Sequence, residues 1–206
     1  MTAKEFFRLL LHRLWSTDEI LQLVRPANTP LPERTWKPCP GEFRSVTEEN
    51  INDCGQFEDA AHYVPVYREM IQRGDFVHFG YLNGKCVYRH AAQCSGDVVW
   101  GGCFVRHLQS HEIHTHFSYC APDARGGGWQ TESLRIMFET YPDCTAYTEV
   151  KKTNIPALIS NFRVGYRPYS VLTVKNRLLH RSLTERKLSP EEISSFVSSV
   201  MQPKST

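Results

Sequence analysis

Apolar residues change their spacing several times along the chain, and each change marks an expected element. Phe7, Leu10, Leu11 and Leu14 recur at helical spacing with Lys4, Arg8 and Arg13 between them, the pattern of an amphipathic helix. Ser16 and Glu19 follow at capping-box spacing, then Ile20, Leu21 and Leu23, before Pro26 ends the run. Residues 4–25 are therefore predicted as two short helices. Prolines at 26, 30, 32, 38 and 40 make 26–41 an extended connector. Glu42–Val46 reads as a strand. Over 47–73, Phe57, Ala60, Ala61, Val64, Tyr67 and Ile71 give approximate helical periodicity, with Pro65 predicting two helices or a kink.

The sharpest short-range signal is Asn83-Gly84 between the apolar runs 76–82 and 85–90. Both residues tolerate positive φ, as a type I′ hairpin turn requires. Strands are expected over 98–105 and 111–120, and a helix over 129–141. A strand over 145–150, a helix over 155–163 and strands over 166–174 and 178–183 follow. Ser189-Pro190-Glu191-Glu192 then starts a final helix with a capping hydroxyl, a proline at the first helical position and acid at the positive helix end.

Composition narrows the class. The chain has 206 residues, of which 41% are hydrophobic, with 24 Lys and Arg against 22 Asp and Glu. One domain with short appendages is expected, and a net charge of +2 gives no electrostatic reason for a nucleic-acid partner. Seven cysteines occur without a C-x-x-C pair, which suits reduced thiols in a cytoplasmic protein better than a disulfide framework or a zinc ribbon. No apolar run reaches the roughly 20 residues that cross a bilayer, and no secretory leader is recognised. The basic amphipathic stretch 4–25 offers a peripheral membrane contact, or packs on its own domain or on a second subunit as a homodimer. His111, His114 and His116 crowd into six positions, with Glu112 among them. His-Glu-Ile-His is one residue short of the helical zinc-protease spacing, so no metal is expected.

The candidate chemistry lies in Ala121–Thr131, which joins a β-like run to a helical one. Arg125, Gly126, Gly127 and Gly128 precede Trp129 and Gln130. Three glycines leave backbone amides open at a helix N-terminus, where N–H groups lack internal partners and the dipole is positive. That is a site for phosphate or pyrophosphate. A Gly-Lys-Ser/Thr ending and dinucleotide-fold glycine spacing are both missing. Arg125, Gly128 and the upstream Pro122 instead resemble the pyrophosphate loop of the GCN5-related N-acetyltransferase (GNAT) superfamily, whose last fixed position, usually Gly or Ala, is Gln130 here. A second motif agrees: Glu149-Val150, Asn154, Ala157 and Gly165-Tyr166 stand at the offsets of the family's next strand and helix. The resemblance covers about residues 42–182.

The resemblance implies an α/β fold with a central mixed, mostly antiparallel sheet, splayed between strands four and five and flanked by helices. It divides the chain into an N-terminal helical extension and connector (1–41), an acyltransferase domain (42–183) and a tail with a short helix (184–206). It further implies acetyl-CoA as co-substrate, bound by Arg125–Gln130, by the backbone near Tyr119 and Cys120, and near Asn154. The acceptor would be a primary amine of an amino sugar, an amino acid, a polyamine or a peptide, attacking the thioester directly. Glu149 is then the candidate base, Tyr119 a further cleft residue, and Asn161 stands where many members have a tyrosine acid. Two alternatives stay open: an acyl carrier protein as donor, and a non-catalytic module of the same fold.

Overall fold

A computed structural model describes residues 15–100, 103–178 and 180–202. Its frame is a sheet of eight strands among the described residues: β1 (Trp15–Arg25), β2 (Glu42–Ser45), β3 (Phe76–Leu82), β4 (Lys85–Gln93), β7 (Glu112–Cys120), β8 (Thr145–Lys151), β9 (Arg167–Arg177) and β10 (His180–Lys187), in the order β10-β9-β1-β8-β7-β4-β3-β2. A separate two-stranded ribbon joins β5 (Gly96–Trp100) to β6 (Cys103–Leu108). Helix α1 (Ala60–Arg73), preceded by a 3₁₀ turn over Ile51–Gln56, covers one face. Helices α2 (Trp129–Thr140), α3 (Ile155–Arg163) and α4 (Pro190–Met201) cover the other, where Leu134, Met137, Leu158, Phe162 and Val200 pack with Ile113 and Ala146.

Every contact between neighbouring strands is antiparallel except β7 with β8. That parallel pair is joined only at Glu112–Thr145, Ile113–Ala146 and His114–Tyr147. Beyond these residues the strands part, although each continues for several more. This is the expected splay. It falls between the seventh and eighth strands in chain order because β1 and the β5–β6 ribbon add to the count.

The N-terminal expectation is corrected. Residues 15–25 form β1, which pairs with β8 on one side and β9 on the other. Ile20, Leu21 and Leu23 are almost wholly buried. A short, mostly apolar run buried on both faces, Gln22 included, carries no period that separates helix from strand, and two partner strands outweigh a local Ser16-x-x-Glu19 cap signal. The helix expected over 4–14 lies outside the described residues.

Two smaller corrections follow. The stretch 47–73 holds a 3₁₀ turn and α1, but the break falls at 57–59 and not at Pro65, which sits inside α1. The single strand over 98–105 is the β5–β6 ribbon, with Gly101-Gly102 in the sequence between its arms. The Asn83-Gly84 turn is as expected, with φ 51° and 76°. The capping box at Ser189 and Glu192 is also formed. No helix among the described residues is long and apolar enough to cross a membrane.

Candidate active site

Strand alternation assigns the side chains of the splay to two faces. Ile113 and Ala146 point into the core beneath α2 and α3, so His114, Tyr147 and Glu149 share the opposite face. There His114 Nε2 meets Glu149 Oε2 in a short contact, with both side chains 1% exposed. Glu149 lies two residues past the last paired position of β8, so the contact runs diagonally across the opening strands. The remaining atoms of the pair, His114 Nδ1 and Glu149 Oε1, are buried without a hydrogen-bond partner among the described residues. An unpartnered buried carboxylate oxygen is costly and keeps a lone pair for an incoming proton. On the helix face, Thr148 Oγ1 donates to the Thr115 carbonyl at 2.9 Å, so a side chain bridges the strands where backbone pairing has ended.

Strand β7 carries a bulge. Arg89–Tyr119 and Ala91–His116 are paired, so three steps on β7 face two on β4. Phe117 takes up the extra residue at φ 57°, in the left-handed region that non-glycine residues rarely adopt. The bulge shifts the alternation, so Tyr119 shares a face with His116. Tyr119 packs edge-to-face on Phe57 at 5.1 Å, and the Arg89 guanidinium lies 5.0 Å from its ring centre. Arg89 is itself held by both oxygens of Asp59, at 2.7 and 2.6 Å. That contact lowers the Asp59 pKa. His116 stacks on Phe117 at 3.9 Å and stands 5.4 Å from the His114 ring. Burial holds its pKa well below the ordinary value.

The glycine loop follows β7 through a 3₁₀ turn at Pro122–Ala124. Gly126 and Gly128 have φ of 84° and 77°, and Gly128 is the N-cap of α2. A Cβ at Gly127 would lie 2.7 Å from Trp129 Nε1. The Trp129 indole donates to the Ala124 carbonyl at 3.0 Å and packs with Phe43 and Tyr88. The ring therefore supports the loop from below, and the Gly127 N–H itself donates to the Ala124 carbonyl at 3.4 Å. Glu132 N–H to Gly128 O is the first bond of the helix ladder, so the amides before it lack intrahelical partners. Exposed Arg125 leans on the Cys120 carbonyl through Nε at 3.3 Å. The Cys120 thiol is pushed up to about 11, chiefly by burial, and has no thiolate character to act as a nucleophile. A glycine cradle of this shape, with an arginine at its rim, fits a pyrophosphate.

Other residues singled out from the sequence have local roles. Asn154 caps α3, its Oδ1 accepting from Ala157 N–H at 3.4 Å. Asn161 is 1% exposed and donates its amide to the Ala157 carbonyl at 2.8 Å. Among the described residues no hydrogen bond joins either to the His114–Glu149 pair. Gln130 lies half-buried in the first turn of α2.

No protein-family model matches the sequence, and no curated protein matches it. Solved structures do. A GNAT-family acetyltransferase from Colwellia psychrerythraea superposes with a TM-score of 0.53 at 13% identity, over 90% of this chain and 62% of that one. The fold is that of the GNAT acetyltransferases. A protein assigned to the same family from Novosphingobium aromaticivorans gives a TM-score of 0.54 at 13% identity, over 84% of this chain and 66% of that one. A fungal multi-domain β-N-acetylglucosaminidase that contains a GCN5-related glucosamine N-acetyltransferase region gives 0.54 at 13% identity, over 89% of this chain and 23% of that one. This chain thus spans less than two thirds of the length of each of these three structures, and the likeness is one of fold. Within the GNAT fold, the splay at β7 and β8 and the glycine loop after β7 stand side by side. In the sequence His114 stands out only as one of three crowded histidines, and nothing in the residue order marks its pairing with Glu149. Alternation along β7 and β8 puts both on one face, but the diagonal contact needs the splay.

Proposed function

We propose that this chain transfers an acyl group from a coenzyme A thioester to a primary amine of a small molecule or peptide. Glu149 carries the reading. One carboxylate oxygen is held by His114, and the other is buried and unpartnered at the point where β7 and β8 part. An ammonium acceptor must lose a proton before it can attack, and Glu149 Oε1 receives it while His114 fixes the carboxylate. The amine nitrogen then forms a bond to the thioester carbonyl carbon and the carbon–sulfur bond breaks. The leaving thiolate takes its proton from solvent, because the Asn161 amide is no acid. Backbone N–H groups of β7 near Tyr119 and Cys120 stabilise the developing oxyanion. The amides of Gly126 and of Gly128–Gln130, with Arg125, hold the pyrophosphate, while Gly127 leaves room for its approach. Asn154 contributes by capping the helix beyond the splay.

A second reading, a non-catalytic module of the same fold, is favoured by Asn161, whose amide is committed to its own helix. Calorimetric titration of acetyl-CoA into wild type and Arg125→Glu separates the possibilities. Arg125 is exposed, so its reversal spares the core. Micromolar binding, weakened about tenfold or more by the reversal, supports the cofactor site. An absence of binding to the wild type would sink the coenzyme A reading and leave a carrier-protein donor. Binding without turnover across a panel of amino sugars, amino acids, polyamines and peptides would leave the non-catalytic module.

A further inference from the structure

Arg106 of the β5–β6 ribbon reaches back to the main sheet. The Arg106 guanidinium lies 3.4 Å from the centre of the Tyr147 ring, and its Nη2 donates to Tyr169 Oη at 2.7 Å. The two tyrosine rings stand edge to face, 6.3 Å apart. Arg106 Nε is buried and has no hydrogen-bond partner among the described residues.

No carboxylate forms an ion pair with this guanidinium among the described residues. The acids around it are engaged elsewhere. Glu112 accepts from the Gln109 N–H at 3.0 Å and from Tyr147 Oη at 3.1 Å. Glu149 is bound to His114. Glu185, whose field Arg106 reaches, is paired with Lys187 Nζ at 2.9 Å. Lys187 adds a second cation 4.6 Å from the Tyr169 ring centre. The Tyr169 hydroxyl accepts from Arg106 and therefore keeps its own proton to donate. Burial pushes its pKa up to about 12, so it remains protonated at neutral pH. Two neighbouring donors, one on a cation, are the chemistry that receives a carboxylate.

The location connects this receptor to the chemistry. Tyr147 and Glu149 alternate on one face of β8, about 7 Å apart along the strand. Tyr169 feels the charges of both Arg106 and Glu149. We infer that the acceptor is an amino acid or a short peptide, its carboxylate held by Arg106 Nε and Tyr169 Oη while its amine faces Glu149 Oε1. Amino sugars and polyamines carry no carboxylate and leave the guanidinium unpaired. This assignment rests on the acyl-transfer reading and selects among its acceptors.

The test compares free amino acids and dipeptides with their C-terminal amides, in wild type, Arg106→Gln, Arg106→Lys and Tyr169→Phe. In the wild type kcat/KM is expected to favour the carboxylate by ~10- to 100-fold, the range for hydrogen bonds to a charged group. That ratio should fall to near one in Arg106→Gln, recover partly in Arg106→Lys, and drop severalfold in Tyr169→Phe. A wild-type ratio near one overturns the assignment, as does an Arg106→Gln variant that slows acid and amide equally, which is the mark of a hinge pin. If no amine is acylated, acyl transfer itself fails, and the anion site is read by calorimetric titration of the same compounds. Binding that needs both the carboxylate and Arg106 supports the receptor, and equal or absent binding overturns it.

Discussion

At the scale of single residues the decisive feature is the His114–Glu149 pair. Taking two ionisable groups out of water is expensive, and mutual attraction repays it only with good geometry. Removing one partner is therefore more damaging than exchanging it. Glu149→Gln keeps the volume and a hydrogen bond to His114 but abolishes the proton acceptor. Steady-state kinetics should show kcat lowered by roughly 10²- to 10⁴-fold, with acetyl-CoA affinity little changed. Full activity would remove Glu149 from the mechanism. His114→Ala leaves the carboxylate buried and unpaired, and chemical denaturation should show a loss of about 3 kcal/mol. Glu149 was legible in the sequence because it stands in a spaced motif with Asn154. Its partner was not, because 35 residues separate them and their meeting depends on where two strands diverge.

At the scale of elements, β1 has the largest consequences. It fills the place between β8 and β9, and Leu23 is 0% exposed. Leu23→Ala should cost ~3 kcal/mol in urea unfolding, because a buried leucine loses both transfer energy and packing. A value near zero would restore the peripheral-helix expectation for residues 15–25. Deleting residues 1–25 leaves β8 and β9 with open edges and should abolish cooperative thermal unfolding. Helices α2 and α3 differ from β1 in this respect, since their boundaries were readable. The glycine loop and Asn154 start them, and local hydrogen bonds suffice to specify such ends.

At the scale of the whole molecule, buried histidines set the acid limit of stability. His78 and His90 are cross-strand partners on β3 and β4. Burial pushes His78 down to about 4. Burial and then the charge of His78 push His90 to about 3. Unfolded, each takes a proton near 6.5, whereas the folded state keeps both neutral to those lower values. The unfolded chain thus binds more protons in this window, so stability falls as pH drops from about 6.5 toward 4. The slope is at most ~1.4 kcal/mol per pH unit for each histidine. Urea midpoints should fall steeply between pH 7 and 5, and His78→Gln should flatten the dependence. An unchanged slope in that variant would remove His78 from the account.

Residue order was enough for the parts specified by near neighbours: the Asn83-Gly84 turn, the glycine loop at the head of α2 and the capping box of α4. Each depends on φ preferences or hydrogen bonds within a few positions, which a local reading can follow. The spaced motifs around Arg125–Gly128 and Glu149–Tyr166 extended that reading to the fold. Tertiary structure alone decided that residues 15–25 are a central strand, that His114 holds Glu149 and that Arg106 stands over Tyr147. In each case the partners are far apart in the chain, and the choice is made by sheet pairing and desolvation, which leave no local mark on residue order.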